Sequence, residues 1–405
     1  MTPRRLVVLG TAASHPYAGM AWMQMQIAAG LLRLGHDVHY LEATSTWPYD
    51  PVRRKKVDDS SYVESYLARI APPFGLGDRW AHRRGYSDGE WIGPSEARAD
   101  ALLAGADAVL NVAGSTRIRS FEGLPVGRLV YLGTDPPSLE LALANDDPDA
   151  LAAVEEHDDF VTYGENIGTT ESPVPGLPKL RARTRQPVLL DMWDGVAPTR
   201  REFTTVSNWR QTAYDAEFCG QTYLWSKHHE WMRFADLPRR TGAPLELATS
   251  LANGGPVGRA TRGHVPASGM TPHEVRLLEA NGWRIANAHR FTTDPWAYRD
   301  YVRSSRAEFS VARDQNVRLR SGWFSERSAC YLASGRPVVA QDTGFGATLP
   351  TGEGLFAFET PDQVAAAFEA IDADYERHSS AAREIAQEYF RAEAVLARML
   401  ADLGL

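Results

Sequence analysis

Short apolar runs alternate with longer amphipathic segments along most of the chain. The first run covers residues 5–9, and the segment after it carries apolar residues three or four positions apart, as on one face of a helix. Those residues are Met20, Met23, Ile27, Leu31 and Leu34. Gly35 ends the helix, and a second apolar run covers residues 36–41. The pattern predicts a strand–helix–strand unit with a right-handed crossover.

The same alternation continues to the end of the chain. Further strands are predicted at residues 108–113, 128–133, 159–163, 187–191, 202–206, 244–250, 283–288, 308–312, 337–340 and 354–358. Strands that alternate with helices indicate an α/β fold class with parallel sheets. A chain of 405 residues is long enough for two domains, each with its own core.

Residues 318–346 carry the pattern most suggestive of a ligand site. A helix is predicted at residues 323–334, Gly335 supplies its left-handed stop, and a glycine-containing loop at residues 342–346 follows the next strand. Three arginines flank the helix start: Arg318, Arg320 and Arg327. A helix N-terminus surrounded by cations favours an anionic ligand. The pattern also suits an ordinary helix–strand unit with solvated arginines.

Composition narrows the class of protein. The net charge of −8 argues against bulk binding to nucleic acid or anionic membranes. The two cysteines, Cys219 and Cys330, exclude a disulfide framework. No apolar run approaches the ~20 residues of a membrane span. Arg4 and Arg5 with the apolar run behind them are interpreted as the first strand, not as a signal peptide, and a cytoplasmic protein is expected.

His15 is the candidate proton acceptor. It lies in the loop after the first strand, which contains neither a dinucleotide-binding nor a P-loop fingerprint. Imidazole suits general-base chemistry because its pKa lies near working pH. The alternative is a loop histidine bonded to its own helix end.

Two motifs resemble those of GT-B glycosyltransferases. Residues 14–17 (S-H-P-Y) and 31–38 (L-L-R-L-G-H-D-V) are similar to the opening of family 1 enzymes, and Gly-x-Pro-Val-Val at residues 335–339 is similar to their nucleotide-sugar half. The resemblance implies two Rossmann-like domains that face each other across a cleft, with a C-terminal helix that crosses back onto the first. The expected domains are residues 1–195 with 383–405, and residues 196–382.

The resemblance also implies roles for individual residues. His15 corresponds to the general base, and Asp135, after the strand at 128–133, is its expected partner. The expected donor-binding residues are Ser207, Asn208, Trp209, His289, Arg290, Arg318, Gly322, Trp323, Ser325, Glu326, Arg327, Asp342, Gly344 and Phe345. Aromatic residues from the irregular stretches on either side of the first helix are expected to form an acceptor wall: Tyr17, Trp80, Tyr86 and Trp91. The alternative is that the irregular stretch at residues 44–93 forms long surface loops with a small aromatic cluster of their own. A Gly/Pro loop at residues 252–269 is expected to overhang the cleft.

The chain departs from these families at specific positions. Cys330 stands where a glutamate would bind the donor ribose, and Glu326, one turn earlier, is its possible replacement. The E-x7-E signature of retaining family 4 enzymes and the H-G-G of family 1 enzymes are both missing. The sequence therefore favours an inverting, His-based mechanism.

No metal site or cofactor is predicted. Asp147 and Asp149 match a D-x-D metal motif, but their surroundings indicate a helix start. The side chains of His228 and His229 would point in different directions from a helix, so they are poorly placed to bind one ion together.

The predicted function is the transfer of a sugar from a nucleoside-diphosphate sugar, UDP or TDP, to a hydroxyl of a small-molecule acceptor such as a natural product. The alternatives are a nucleotide-sugar epimerase of the same fold and a non-catalytic sugar-nucleotide-binding protein. The expected partners are donor and acceptor alone, with no nucleic acid, and the chain is a monomer or a homodimer.

Overall fold

The computed structural model describes residues 2–120, 122–211, 214–252 and 269–405. The Gly/Pro loop predicted to overhang the cleft lies almost wholly outside them. The first half of the chain consists, in order, of β1 (Arg5–Leu9), α1 (Ala18–Arg33), β2 (Asp37–Thr44), β3 (Tyr49–Asp50), β4 (Lys55–Lys56), α2 (Ser61–Ile70), β5 (Trp80–Arg84), β6 (Trp91–Ile92), α3 (Ala99–Gly105), β7 (Ala108–Val112), β8 (Leu129–Gly133), α4 (Ser138–Ala144), α5 (Pro148–Glu156), β9 (Asp159–Thr162), β10 (Leu180–Arg183) and α6 (Leu190–Trp193).

Eight of these described strands form one sheet in the order β10-β9-β8-β7-β1-β2-β5-β6. All neighbours are parallel except β5 and β6. Apart from the exposed Arg5, the residues of the central strands β1 and β7 are buried and mostly apolar, because helices cover both faces of the sheet. Strands β3 and β4 form a separate small hairpin.

The second half consists, in order, of β11 (Phe203–Val206), β12 (Ala216–Phe218), β13 (Gln221–Tyr223), α7 (His228–Arg233), α8 (Leu237–Thr241), β14 (Leu245–Thr249), α9 (Pro272–Ala280), β15 (Arg284–Asn287), α10 (Pro295–Ser304), β16 (Ala307–Ser310), α11 (Asp314–Arg318), α12 (Glu326–Ala333), β17 (Val338–Gln341), β18 (Leu355–Phe358), α13 (Pro361–Ala373), α14 (Tyr375–Ile385) and α15 (Ala392–Asp402). Six of these described strands form a parallel sheet in the order β15-β14-β11-β16-β17-β18. This is the doubly wound order of Rossmann-like folds.

Local sequence signals set most element boundaries. Thr271 and Glu274 form a capping box at the start of α9, as the Thr and Pro at that position predict. Gly335 has a φ of +67°, the left-handed conformation expected of a residue that ends a helix. Helix α12, however, begins three residues later than predicted, at Glu326.

Several regions differ from the sequence prediction, and strands β10, β12 and β13 form where no strand was predicted. The strand expected at residues 187–191 is absent from the described structure, because Val188 makes only one bridge, to Arg391, and the chain then turns into α6. Strands β5 and β6 lie in a stretch expected to be irregular. Their polar residues hid the pattern: His82 is fully buried, 3.6 Å from Glu42, and Arg83 pairs with Glu122.

The C-terminal helix α15 packs against α1 of the first half. A methyl group added at Gly30 of α1 would lie 3.1 Å from Ala392, so the two helices approach too closely for a larger residue there. Arg128 also donates a 2.7 Å hydrogen bond to the carbonyl of Leu403. Among the described helices, none has the length and apolar character needed to cross a membrane.

Candidate functional site

A cavity of about 870 Å³ lies between the carboxyl ends of the two sheets. Strand order reverses between β1 and β7 in the first sheet and between β11 and β16 in the second. Ligands of doubly wound sheets bind beyond the carboxyl ends of strands at such a reversal. The wall of the cavity includes one residue from the segment after each of these four strands: His15, Ala113, Ser207 and Arg313. Both switch points therefore face the same space.

Lys227 is a buried cation on the wall formed by the second half. It precedes α7, is 8% exposed, and its ammonium lies 5.5 Å from the centroid of the Trp323 ring. Among the described residues, none forms a hydrogen bond or ion pair with this ammonium, although the charges of Asp135 and Glu308 act on it from further away. Burial, together with the positive charges of Arg327 and Arg313, holds the pKa of Lys227 well below its usual 10.5. An anionic ligand would favour the charged form of Lys227 and offset this penalty.

Arg313 lies beside Lys227 in the same wall. Its guanidinium stacks 3.5 Å from the centroid of the Trp225 ring and donates a 2.8 Å hydrogen bond to Asp135. Asp135 was predicted to orient His15. In the structure, the Asp135 carboxyl instead pairs with Arg313, which belongs to the second half of the chain. Asp135 thus forms an ion pair with Arg313.

The first turn of α12 completes the cationic wall. Ser325, Glu326 and Arg327 all line the cavity. The Ser325 side chain makes no capping hydrogen bond, so it leaves the first amide N–H groups of the helix unsatisfied. Arg327 is fixed by a 2.6 Å hydrogen bond to the carbonyl of Val206 and by an ion pair with the fully buried Glu308. Helix end and cations together favour an anion here.

The predicted glycines of this region contact the first half of the chain. Gly322 has a φ of +76°, and a Cβ there would lie 2.8 Å from the backbone nitrogen of Asn166. The Asn166 amide donates hydrogen bonds to the carbonyls of Arg320 (3.1 Å) and Gly344 (3.0 Å). Asp342 accepts the N–H of Gly344 at 2.8 Å. Gly322, Asp342 and Gly344 thus shape a contact between the halves and do not line the cavity.

His15 lines the opposite wall, after β1. Its backbone N–H donates to the carbonyl of Thr11 at 2.9 Å, which fixes the loop. Burial lowers the pKa of His15 below its usual 6.5, against the raising effect of Glu42. The imidazole is therefore neutral at neutral pH and can accept a proton.

Two carboxyl groups of the cavity wall have raised pKa values. Burial raises the pKa of Glu326 to about 7, although Cys330 donates its S–H to this carboxyl at 3.1 Å. Burial also raises the pKa of Glu140, in the first turn of α4, to about 7. Cys330 thus contacts Glu326 and, at 3.9 Å, the side chain of Gln26 in the first half.

Of the predicted donor residues, half line the cavity: Ser207, Asn208, Trp209, Trp323, Ser325, Glu326 and Arg327. Besides Gly322, Asp342 and Gly344, four others lie outside it: His289, Arg290, Arg318 and Phe345. Arg318 stacks 4.2 Å from the centroid of Tyr223 and binds the carbonyl of Thr222 at 2.8 Å. Phe345 packs against Phe324 in the core, with ring centroids 5.2 Å apart.

Of the expected acceptor wall, Tyr17 lines the cavity and the other three aromatic residues do not. Trp80 is buried in the core, where a Cβ on Gly93 would collide with its ring. Trp91 donates to Asp100 at 2.9 Å on the outer edge of the sheet. Tyr86 lies near His82, with 3.4 Å between its hydroxyl and the ring nitrogen.

The D-x-D motif is a helix cap. Asp147 accepts the backbone N–H groups of Asp149 and Ala150 at 2.9 and 3.0 Å, at the start of α5. Within the described residues, no three His, Cys, Asp or Glu side chains are grouped so that they could hold a metal ion.

Solved structures identify the fold. An alpha-glucosyltransferase in complex with UDP and a 13-mer DNA superposes with a TM-score of 0.56 at 10% identity, over 100% of each chain. HepE of Anabaena in complex with UDP and glucose gives 0.54 at 11% identity over 99% of each chain. AviGT4, a glycosyltransferase involved in avilamycin A biosynthesis, gives 0.52 at 12% identity, over 98% of this chain and 96% of that one.

These likenesses, together with the two facing sheets, show that the chain has the GT-B fold of glycosyltransferases. No family model matches the chain. No curated protein matches it either.

The cavity residues that sequence reasoning missed include Lys227, Arg313 and Glu140. One signal was available for Lys227, because a lysine at the start of a helix is opposed by the helix dipole and needs another reason to be there. Arg313 stands in the segment after β16 and Glu140 in the first turn of α4, and one charged residue at such a position cannot be distinguished from its solvated neighbours without the packing around it.

Proposed function

We propose that the protein is a glycosyltransferase that moves a sugar from a nucleoside diphosphate to a hydroxyl of a small-molecule acceptor, with inversion. UDP is the favoured carrier, because the neighbouring solved structures contain UDP. The observation that carries the proposal is the division of the cavity: a neutral, partly buried histidine on one wall and a cluster of buried basic residues on the other.

In this mechanism the donor diphosphate lies against Lys227, Arg313 and the first turn of α12. These groups stabilise the negative charge that develops on the leaving diphosphate, without a metal ion. The pairing with Asp135 holds the Arg313 guanidinium at the cavity wall. Glu326 is the candidate for contact with the donor ribose, where related enzymes carry a glutamate at the position of Cys330.

On the other wall, the acceptor hydroxyl attacks the anomeric carbon. The new carbon–oxygen bond forms as the bond to the diphosphate breaks, and the neutral imidazole of His15 takes the hydroxyl proton. Tyr17 lines this side, and its ring stacks on Tyr49 with centroids 5.9 Å apart, which provides a flat surface for the acceptor. The predicted division at residues 195 and 382 assigns acceptor and donor to separate domains.

The test is turnover of UDP-sugars by the His15→Ala protein. We expect UDP affinity near that of the wild type and a turnover number lower by ~10²–10⁴, the usual contribution of a positioned base. His273, exposed on α9, gives the matched control His273→Ala. A turnover number of His15→Ala within about threefold of the wild type removes His15 from the mechanism.

Product stereochemistry tests the other half of the proposal. An inverted anomeric configuration, read by NMR, supports direct displacement, and retention overturns it. An epimerase would exchange sugar protons with solvent without any acceptor, and a binding protein would bind UDP-sugar without turnover.

A further inference from the structure

Glu140 is a buried carboxyl on the acceptor side of the cavity. It lies in the first turn of α4, after β8, and is 5% exposed. The cationic residues that line the cavity, Arg210, Lys227, Arg313 and Arg327, all belong to the second half. Glu140 therefore faces the cavity from the opposite wall to the groups that attract the donor.

Other buried glutamates of the protein have strong internal partners. Glu42 accepts the N–H groups of Ala13 and Ser14 at 2.7 and 3.0 Å. Glu156 accepts the guanidinium of Arg117 at 2.7 Å. Among the described residues, the only hydrogen bond that the Glu140 carboxyl accepts comes from the backbone amide of Glu140 itself. A buried carboxyl without a partner is costly, and such groups commonly meet a ligand.

The surroundings of Glu140 favour a cation over a neutral or anionic group. Tyr131, Val161 and Leu177 line the cavity with it. The other acidic residue of this wall, Asp135, is already paired with Arg313, so Glu140 is the acid whose charge remains open to a ligand. An ammonium group would pair with the carboxylate and gain further attraction from a nearby aromatic face. A second anion would be repelled.

We propose that the acceptor carries a protonated amine that binds Glu140, an inference that rests on the proposed function. The position of Glu140 sets the shape of this acceptor. His15 follows β1 and Glu140 follows β8, and β8 is two strands away from β1 in the sheet. Strands lie ~4.8 Å apart, so β1 and β8 are ~10 Å apart, and an acceptor about two sugar rings long would bridge the segments that follow them.

The experiment compares two disaccharides, the β-1,4-linked glucosamine dimer and cellobiose. The first carries amines where the second carries hydroxyls. Binding of each is measured by calorimetry on UDP-saturated wild-type, Glu140→Gln and Glu155→Gln proteins. Glu155 is an exposed acidic residue on α5 and serves as the control. We expect the wild type and the control to bind the glucosamine dimer about tenfold or more tightly than cellobiose, since a charge-assisted bond is lost with cellobiose. The Glu140→Gln protein should bind both disaccharides with the same affinity, and its unfolding temperature should be similar to that of the wild type.

Each other outcome decides against one of the two proposals. If UDP binds but neither disaccharide does, or if the preference for the amine persists in Glu140→Gln, the assignment of Glu140 is wrong and the glycosyltransferase proposal stands. If neither UDP nor UDP-glucose binds the wild type, the proposed function fails first.

Discussion

Replacing Lys227 by methionine separates a ligand-binding role from a structural one. Methionine keeps the length and apolar contacts of the side chain and removes the ammonium. In the ligand-free protein this ammonium is buried without an anionic partner among the described residues, so its removal should stabilise the fold. In the complex the same change removes a contact to the diphosphate.

The expected magnitudes have opposite signs. A hydrogen bond to a charged group contributes ~1.5–3 kcal/mol, so UDP affinity should fall about 10- to 150-fold. The melting temperature of the ligand-free variant should rise by about 1–3 °C. The pH dependence of folding stability should also differ between the variant and the wild type. The depressed pKa means that the folded state of the wild type binds fewer protons than the unfolded state, so wild-type stability rises with pH up to the usual pKa of 10.5. Lys227→Met lacks this component.

The assay is calorimetric titration with UDP beside a thermal unfolding scan, with Lys55→Met as control on the exposed β4 strand. Lys227→Arg should keep part of the affinity. Lower stability together with lost affinity would indicate a structural role. UDP affinity within about threefold of the wild type would show that Lys227 does not meet the diphosphate.

Three further predictions concern the same cavity. Arg313→Ala should weaken UDP binding about tenfold, while Arg318→Ala, outside the cavity, should leave it unchanged; equal effects in a titration would refute the assignment. The pKa of Glu326 is about 7 in the folded state against about 4.5 when unfolded, so the folded state holds the proton longer and wild-type stability falls as pH rises between these values. Above neutral pH, the free energy of unfolding of Glu326→Gln should therefore exceed that of the wild type by about 3 kcal/mol at most. Urea unfolding of both proteins at acidic and alkaline pH measures this difference. A difference that does not change with pH would contradict the prediction. EDTA should not affect turnover, because side-chain cations and a helix end face the diphosphate; recovery of lost activity by magnesium or manganese would refute this.

The sequence alone was sufficient for the features that depend on near neighbours. The apolar run at residues 5–9 and the capping box of Thr271 and Glu274 appear in the structure where the pattern puts them. Gly335 ends its helix because a left-handed residue there needs no side chain. The Asp147 cap also follows from sequence, since an aspartate before Pro148 satisfies the amide groups that follow it. The alternation of such elements predicted an α/β fold with parallel sheets, and the resemblance to GT-B glycosyltransferases implied two Rossmann-like domains.

Tertiary structure decided which charged residues line the cavity. Arg318 and Arg313 are equally plausible in the sequence, yet one packs on Tyr223 and the other reaches Asp135, 178 positions away along the chain. Lys227 differs from a surface lysine only through the distant residues that bury it. Burial and long-range charge depend on how the two sheets face each other, and local periodicity carries no information about that arrangement. The elements of the fold were therefore predictable, while the chemistry of its cavity required the packed structure.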